Sequence, residues 1–239
     1  MDIKSMPAYK EEWKTYKGVF DQFTIRNLFE LESRNVFEEP LSPFKVGKES
    51  NVFLAQNGKS RIIVKIYRLE NCDFNRMYDY IRKDPRYEYL KKHRREIIFA
   101  WTQREYKNLI RAHEFKVSVP KPLHWKYNIL VEEMVGRDEP APPLKDSPPE
   151  EPEKFMGLVI EQMQKLYKAG LVHGDLSAFN ILNFEEKPYL IDFSQATTIK
   201  TPNSEELLMR DVKNICTFFR KQGIKAIPEE IFKKVMAKD

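Results

Sequence analysis

Of the 239 residues, 41% are hydrophobic and 32% charged, with a net charge of +5; this excludes a disordered chain and permits an RNA partner without requiring one. The chain has no run of about 18 apolar residues and no signal peptide at residues 1–4, so we expect no membrane contact. Cys72 and Cys216 lack metal-ligand spacing, which argues against a zinc site or disulfide framework and predicts a cytoplasmic protein.

An N-terminal helical extension, residues 1–43, is the first predicted unit. Apolar residues at helical spacing favour one or two short helices between residues 19 and 37. From residue 44 the pattern becomes strand-like. Asn57-Gly58 stands between two apolar runs, which is a strong hairpin signal because both turn positions need positive φ.

Residues 70–100 are rich in charge and include the basic segment 91–95, Lys-Lys-His-Arg-Arg. Two interpretations stay open for this segment. It is either a solvated loop and helix face or a surface that contacts RNA or the ribosome. Helical spacing returns around residues 101–112.

The second half of the chain begins with a predicted strand at residues 128–135. Residues 138–152 contain six prolines, which no helix interior or central strand accepts, and we interpret them as the linker between two lobes. Amphipathic helices are predicted at residues 153–169 and 205–221.

The most informative motif is His-Gly-Asp-Leu-Ser-Ala-Phe-Asn at residues 173–180, followed by Ile-Asp-Phe-Ser at 191–194. Asp175 can orient an attacking hydroxyl or water. Asn180 and Asp192 offer oxygen ligands for a magnesium ion that bridges nucleotide phosphates. A turn rich in Asp and Asn between core strands would explain either aspartate alone, but not both apolar runs that precede them. The motif therefore predicts phosphoryl transfer.

A phosphoryl-transfer site also needs a cation for the phosphates. Lys65 lies in the apolar run 62–66, the setting of the lysine on the third strand of protein kinases; an exposed lysine on an edge strand is the alternative. Residues 47–53, Gly-Lys-Glu-Ser-Asn-Val-Phe, stand where a phosphate-covering loop is expected, although they contain a single glycine.

Glu105 is the predicted partner of Lys65. It shares a helical face with Trp101, and a glutamate on an apolar face needs a cation. A surface charge pair is the competing interpretation. The hinge between the lobes is expected at residues 133–135, where the backbone carbonyl of Glu133 and the amide of Val135 are candidate contacts for adenine.

Two more polar residues accompany the motif. His173 has no second histidine at ligand spacing, so we expect it to pack and hydrogen-bond beside the catalytic loop rather than bind metal. Asp211 either accepts backbone hydrogen bonds from that loop or pairs on a helix surface with Arg210 or Lys213.

Taken together, these features resemble the RIO family of atypical serine/threonine protein kinases, most of all its type-one group from archaea and eukaryotes. The resemblance covers about residues 44–222 and rests on residues 47–53, 64–67, 105–109, 140–142, 173–177 and 191–196. It implies an α+β, two-lobed, protein-kinase-like fold. A twisted antiparallel sheet would form the N-lobe, residues 44–135, and a reduced, mainly helical C-lobe would span residues 136–239.

The resemblance also implies roles for individual residues. By position, Asp175 would be the catalytic base, Asn180 and Asp192 the metal ligands, and Lys65 the phosphate anchor. In this family the residue at Asp192 is also implicated as a transient phospho-acceptor in ATP hydrolysis. The implied cofactors are ATP and Mg²⁺ or Mn²⁺. Further nucleotide contacts are expected from Gly47, Lys48, Ser50, Asn51, Glu105, Glu133, Val135 and Pro142.

Some positions depart from the family pattern. Lys45-Val46 stands where small hydroxyl residues are more frequent. Glu132 replaces an apolar residue at the back of the adenine pocket, which we expect to alter nucleotide fit.

Only 45 residues follow Ser194, and they contain no Ala-Pro-Glu motif, so we expect no peptide-binding platform of the ordinary kinase type. The long interval before Glu105 predicts a mobile insertion, residues 70–95, that overhangs the cleft.

Three functions are compatible with these residues. The first is an ATP-dependent kinase or ATPase that acts on the pre-ribosomal small subunit during its maturation. The second is a small-molecule phosphotransferase or the kinase of a tRNA-modification complex, although small-molecule kinases usually carry a histidine at the position of Ser177. The third is a nucleotide-gated assembly module with little turnover.

Overall fold

The structure, a computed structural model, describes residues 20–70 and 72–237, without the side chains of residues 39 and 40. The first 19 residues of the predicted extension lie outside this range. Within the described residues there are nine strands and six α-helices. They form a sheet lobe followed by a mainly helical lobe, which confirms the predicted two-lobed α+β class.

The N-lobe is built on a five-stranded antiparallel sheet with strand order β1-β2-β3-β5-β4. The strands are β1 (Glu38–Val46), β2 (Ser50–Asn57), β3 (Ser60–Tyr67), β4 (Pro122–Lys126) and β5 (Ile129–Glu133). β1 starts six residues before position 44, the predicted start of the lobe. The sequence pattern did not predict β4, a short strand in which every residue is half-buried.

The predicted hairpin between β2 and β3 is confirmed, but its turn lies one residue later than predicted. Asn57 still pairs with Ser60, so the two turn residues are Gly58 and Lys59. Gly58 has a φ of 59°, whereas Lys59 is not among the described residues with positive φ. The Asn57 side chain instead donates to the carbonyl of Val36 at 3.0 Å, which holds it outside the turn.

A single helix, α1 (Gln22–Ser33), covers the outer face of the sheet. The Asp21 carboxylate caps it by accepting hydrogen bonds from the amides of Phe23 at 2.9 Å and Thr24 at 3.1 Å. Its apolar face and that of the sheet form one buried cluster, which includes Ile25, Leu28, Leu31, Phe53, Ala55, Ile62, Val64, Ile66, Ile129 and Val131. Because α1 fills this face, the opposite face of the sheet remains for the cleft.

The insertion, residues 70–95, packs on the long helix that follows it. It contains α2 (Phe74–Ile81) and a 3₁₀ turn (Pro85–Tyr87), and it leads into α3 (Arg94–Glu114). Met77 and Ile81 are buried in a cluster with the start of α3. The basic segment 91–95 is exposed.

The C-lobe combines three helices with two short strand pairs. The helices are α4 (Pro152–Lys168), α5 (Ser204–Arg220) and α6 (Pro228–Met236), the last of which was not predicted. The strand pairs are β6 (Leu171–Val172) with β9 (Thr197–Thr198), and β7 (Ile181–Phe184) with β8 (Lys187–Leu190). Only residues 199–203 connect β9 to α5.

Residues 138–151 of the proline-rich segment contain no helix or strand, as predicted, whereas its last residue, Pro152, begins α4. The segment is nevertheless attached to the C-lobe, because Leu144 is fully buried and its amide donates to the carbonyl of Ile181 at 2.8 Å. None of the helices in residues 20–70 and 72–237 combines the length and apolarity needed to cross a bilayer.

Candidate active site

An ion triad at the interface of the two lobes forms the centre of the site. The ammonium nitrogen of Lys65 on β3 lies 2.9 Å from Oε1 of Glu105 on α3 and 3.0 Å from Oδ1 of Asp192. The Tyr67 hydroxyl donates to the second oxygen of Glu105. Glu105 is almost fully buried, so the predicted ion pair with Lys65 is confirmed and the surface interpretation is excluded.

The charges of this triad stabilise one another. Burial alone would lower the pKa of Lys65, but Asp192 and Glu105 hold it well above its ordinary value. Burial would likewise raise the pKa of Asp192, yet Lys65 and a hydrogen bond from Ser194 bring it down to about 2. Both partners of the Lys65–Asp192 pair are therefore ionised at neutral pH.

Asp192 is held in a strained backbone conformation. Its φ is 63°, a left-handed value that costs a residue with a Cβ some free energy and often marks functional sites. Ser194 Oγ donates to Asp192 Oδ1 at 2.7 Å, the same oxygen that contacts Lys65. The second oxygen, Oδ2, accepts no hydrogen bond from the described residues and remains available to a ligand.

The residues present fit a magnesium ion bound together with nucleotide phosphates. The Ile191 amide donates to the Asn180 carbonyl at 3.0 Å, which brings the chain around Asn180 beside Asp192. Among the described residues, no group of three His, Cys, Asp or Glu side chains could hold a metal ion. Mg²⁺ commonly binds one or two protein side chains and completes its shell with phosphates and water, so Asn180 and Asp192 suffice. They would hold the ion, which would neutralise phosphate charge.

Asp175 lies on the neighbouring loop. Its Oδ2 accepts a hydrogen bond from Gln195 Nε2 at 3.1 Å, and its backbone carbonyl accepts one from Asn180 Nδ2 at 2.8 Å. Burial and the nearby charge of Asp192 raise the pKa of Asp175, while Arg210 and Arg76 oppose this. A carboxylate with a raised pKa, half-buried beside Asn180 and Asp192, suits a general base.

Asp211 supports the loop that carries Asp175. Its Oδ2 accepts a hydrogen bond from the Gly174 amide at 2.7 Å, and its Oδ1 accepts one from the Leu176 amide at 2.8 Å. Of the two sequence interpretations, the structure thus favours the loop-supporting one. Burial raises the pKa of Asp211 to about 7, although the two amides favour the ionised form. Gly174 has a φ of 76°, which suits a residue without a Cβ.

His173 packs and hydrogen-bonds as expected, but its partner is not the loop of Asp175. It lies beneath the loop of residues 191–196, here called the Asp192 loop. One ring nitrogen, Nε2, lies 3.0 Å from the carbonyl of Ile191, and the ring centroid lies 4.8 Å from that of Phe193. Burial lowers the pKa of His173 to about 4, so the ring is neutral at physiological pH. It orders the backbone next to Asp192.

Of the predicted phosphate-covering loop, residues 47–49 form the tight turn between β1 and β2, and residues 50–53 belong to β2. The Gly47 amide donates to the Ser50 carbonyl at 2.9 Å, and a Cβ on Gly47 would lie only 2.8 Å from that oxygen, so the turn requires glycine. Lys48 is exposed. Burial and the charges of Asp192 and Asp175 raise the pKa of Glu49, which indicates that the turn lies over the acidic site.

Ser50 and Asn51 alternate to opposite faces of β2. Val52 pairs with Lys65, so Ser50 shares the cleft face with it. The buried Asn51 turns to the other side, where its Oδ1 accepts a hydrogen bond from Arg68 Nη2 at 2.9 Å. The structure therefore does not bring the Asn51 side chain next to Lys65, and its contact with a phosphate stays a prediction.

The hinge begins at Glu133, the last residue of β5, and continues to Val135. The Val135 carbonyl accepts a hydrogen bond from the Ala141 amide at 2.8 Å, while no partner for the Val135 amide is found within the described residues. Glu133 is exposed, and its amide donates to the Lys121 carbonyl at 2.9 Å. A pocket of about 410 Å³ lies beside the hinge and is lined by Gly136, Ala141, Pro142 and Phe184, among others.

Sequence reasoning missed a buried polar network behind the Asp192 loop, residues 191–196. Asn108 Nδ2 donates to the Ala196 carbonyl at 2.7 Å, and Arg104 Nη2 donates to the Ser194 carbonyl at 2.6 Å. Arg104 is fully buried, and burial lowers its pKa to about 10. Trp101, Arg104 and Asn108 follow helical spacing, so their shared face was a signal that could have identified them.

The insertion completes this network through Asp84. Its fully buried carboxylate accepts hydrogen bonds from the Arg86 guanidinium, with the shortest contact at 2.6 Å, and from Thr197 Oγ1 at 3.3 Å. Arg86 Nη1 also donates to Asn108 Oδ1 at 2.9 Å. Burial opposes ionisation of Asp84, but the contacts with Arg86 hold its pKa below the ordinary value. The insertion is therefore connected to the chain that follows Asp192.

Comparison with known proteins agrees with this geometry. A family model described as the RIO domain matches residues 51–232, which is most of the chain. This chain belongs to the RIO family of serine/threonine-protein kinases. Its fold is accordingly that of a protein kinase with a reduced C-lobe.

Two archaeal relatives named RIO-type serine/threonine-protein kinase Rio1 resemble this RIO kinase over nearly its whole length. The protein of Methanocaldococcus jannaschii is 41% identical over 233 residues, which covers 97% of this chain and 80% of the relative. That of Haloferax volcanii is 38% identical over 227 residues, covering 94% and 78%. Human serine/threonine-protein kinase RIO1 is 33% identical over 224 residues, but these span only 39% of its length.

A solved structure with a similar fold is the Rio2 kinase of Chaetomium thermophilum in an ADP/Mg²⁺-phosphoaspartate complex. It has a TM-score of 0.66 and 23% sequence identity. The match covers 88% of this RIO kinase and 66% of the Rio2 chain, slightly less than two thirds of it. At this identity the likeness shows the fold, a two-lobed kinase-like arrangement.

Proposed function

We propose that this RIO kinase binds ATP with Mg²⁺ or Mn²⁺ between the lobes and transfers the terminal phosphoryl group, as a kinase, an ATPase or both, during maturation of the small ribosomal subunit. The observation that carries the proposal is the Lys65–Glu105–Asp192 triad with Asp175 on the adjacent loop. This set provides a cation for phosphates, a metal ligand and a base.

The chemistry requires little of the protein beyond positioning and charge. Lys65 would contact the nucleotide phosphates, and Asn180 and Asp192 would hold the metal ion that neutralises them. As the bond between the γ-phosphorus and the ADP oxygen breaks, a new bond forms to the acceptor oxygen. Asp175 accepts the proton that the acceptor hydroxyl or water loses.

A second route uses Asp192 itself as the acceptor. Its Oδ2 is free of hydrogen bonds from the described residues and would attack the γ-phosphorus, releasing ADP and forming an aspartyl phosphate. Water would then hydrolyse the acyl phosphate to inorganic phosphate and restore the carboxylate. A phosphoaspartate is named for the Rio2 kinase of similar fold, which supports but does not establish this route here.

Two surface features support a ribosomal partner. The basic segment 91–95 is exposed, and Tyr89 beside it is 90% exposed, so cations and an aromatic ring lie together as in many RNA-binding surfaces. The connection between β9 and α5 has only five residues and offers little room for a peptide platform. This favours a large assembly over a free peptide as the partner. Both cysteines are free, in keeping with a cytoplasmic setting.

The decisive experiment is incubation with ATP radiolabelled at the γ-phosphate, with and without purified small ribosomal subunits. We expect subunit-dependent label on a ribosomal protein or release of labelled phosphate, and neither with the Asp175→Ala variant. A panel of small alcohols and tRNA-modification partners serves as the comparison. Fast, specific turnover of one of them would replace the ribosomal proposal. Tight nucleotide-dependent subunit binding without any label transfer or hydrolysis would favour a nucleotide-gated assembly module.

A further inference from the structure

Glu132 is a half-buried carboxyl group on the cleft face of β5. Ile129 and Val131 belong to the buried cluster beneath α1, whereas Leu130 belongs to the C-lobe cluster on the opposite side. Side chains of a strand alternate, so Glu132 shares the face of Leu130. Leu130 pairs directly with Lys65, which places Glu132 two residues, or about 7 Å, further along the cleft towards the hinge.

The Glu132 carboxyl has no partner of its own. Lys65 is already held by Glu105 and Asp192, and no hydrogen bond or ion pair to Glu132 occurs within the described residues. Burial, followed by the charge of Glu105, raises the pKa of Glu132 to about 8, and Lys65 only partly offsets the effect while Asp192 adds to it. Because the side chain is half-buried in the cleft and no described protein group occupies its oxygens, the carboxyl is available to a ligand that binds there.

The position next to the hinge suggests which ligand group it meets. The hinge backbone can accept one of the two N–H groups on the 6-amino group of adenine. The second N–H would otherwise enter an apolar environment and lose its hydrogen bond to water. We propose that the Glu132 side chain selects the base, with a carboxyl oxygen that accepts this second hydrogen bond. The inference rests on the proposed binding of ATP and adds the residue that recognises the 6-amino group of adenine.

The contact has a testable consequence for nucleotide choice. Purine riboside triphosphate has a hydrogen in place of the 6-amino group and can use neither hydrogen bond. Glu132→Gln retains a carbonyl oxygen that accepts the same bond, whereas Glu132→Met fills similar space without an acceptor. The quantity to measure is the ratio of dissociation constants for the two triphosphates, each with Mg²⁺, determined by titration calorimetry.

We expect Glu132→Met to reduce the preference for ATP over purine riboside triphosphate by about fivefold, the effect of one net hydrogen bond. Glu132→Gln should retain most of the preference. An unchanged ratio in Glu132→Met would overturn the inference, because a merely electrostatic or packing role alters both affinities equally. If the native chain binds no ATP, the proposed function fails. If the native chain binds ATP but Glu132→Met leaves the ratio unaltered, only the proposed contact with the base is refuted. Thermal unfolding of both variants checks that they are folded.

Discussion

The ammonium nitrogen of Lys65 lies 3.0 Å from Oδ1 of Asp192, although 127 positions separate the two residues in the chain. The contact joins β3 of the N-lobe to the loop before β9. It fixes the positions of both charged side chains in the cleft where a nucleotide would bind. Phosphate oxygens would compete with Asp192 for Lys65, and a metal ion would take up the carboxylate. Under the proposed function, nucleotide binding would therefore exchange one set of charge contacts for another and leave no unpaired charge.

Replacing Asp192 with alanine should abolish Mg²⁺-dependent nucleotide binding and any hydroxylamine-sensitive phosphoenzyme. The variant removes a metal ligand, the partner of Lys65 and the proposed phospho-acceptor together. Calorimetric titration of ATP with Mg²⁺ and with EDTA provides the measurement. Asp146→Ala, which changes a half-exposed carboxylate on the linker, is the matched control. Full Mg²⁺-dependent affinity in Asp192→Ala would contradict the assignment.

The stabilising effect of the Lys65–Asp192 pair should disappear in acid. The pKa of Asp192 is about 2 in the folded chain and about 3.8 for an ordinary aspartate, so the folded state favours the ionised form. The pair therefore stabilises the fold above about pH 4, and this contribution is lost as the pH falls towards 2. The melting temperatures of the native chain and of the Asp192→Asn variant, measured at decreasing pH from 6, should therefore converge. A gap that widens in acid would be incompatible with this linkage.

Asp175→Ala should reduce phosphoryl transfer by roughly 10²- to 10⁴-fold while leaving ATP affinity almost unchanged, because a general base acts in the transition state. The pKa of Asp175 is raised by burial and by Asp192. Since only the ionised base accepts a proton, the native rate should fall on acidification at a higher pH than for an unperturbed aspartate. Single-turnover rates across pH measure both effects. A native-like rate in Asp175→Ala would remove it as the base.

Asp211→Asn should destabilise the protein by about 2–3 kcal/mol and lower turnover more than it weakens nucleotide binding. Asparagine has one acceptor oxygen, so its amide nitrogen would face either the Gly174 or the Leu176 amide, both of which are donors. Urea unfolding and steady-state kinetics report the two effects. The exposed Lys213→Ala substitution on the same helix should change neither. Equal stability of Asp211→Asn and Lys213→Ala would refute this role.

Asp84→Ala should cost about 3 kcal/mol of stability, the lower end for breaking a buried ion pair, and should also weaken binding of ATP with Mg²⁺. The substitution leaves Arg86 without its carboxylate and breaks the contact with Thr197, which loosens the chain that follows Asp192. Asp79→Ala, in the same insertion but exposed and paired with Arg82, should have almost no effect. If Asp84→Ala loses stability but binds nucleotide like the native chain, the network is structural only.

Much of the site could be predicted because the spacing of residues within single helices and strands indicates it. The apolar runs before Asp175 and Asp192, the Lys65 strand and the helical face of Glu105 each follow from spacing within one element. The hairpin was predicted for the same reason, but its turn moved by one residue since the Asn57 side chain bonds to Val36. β4 and α6 were missed because their short patterns are weak by themselves and their packing partners lie elsewhere in the chain.

By itself, the sequence determined the kinds of chemistry available: two aspartates and an asparagine for metal and proton transfer, and one lysine for phosphates. It also predicted the pairing of Lys65 with Glu105. Only the tertiary structure decided the other contacts of the site. It turned Asn51 away from Lys65, buried Arg104 and Asn108 beneath the Asp192 loop, and left the Glu132 carboxyl without a protein partner in the cleft. The physical reason is that burial and pairing depend on elements far apart in the chain, whereas periodicity reports only the face of each element.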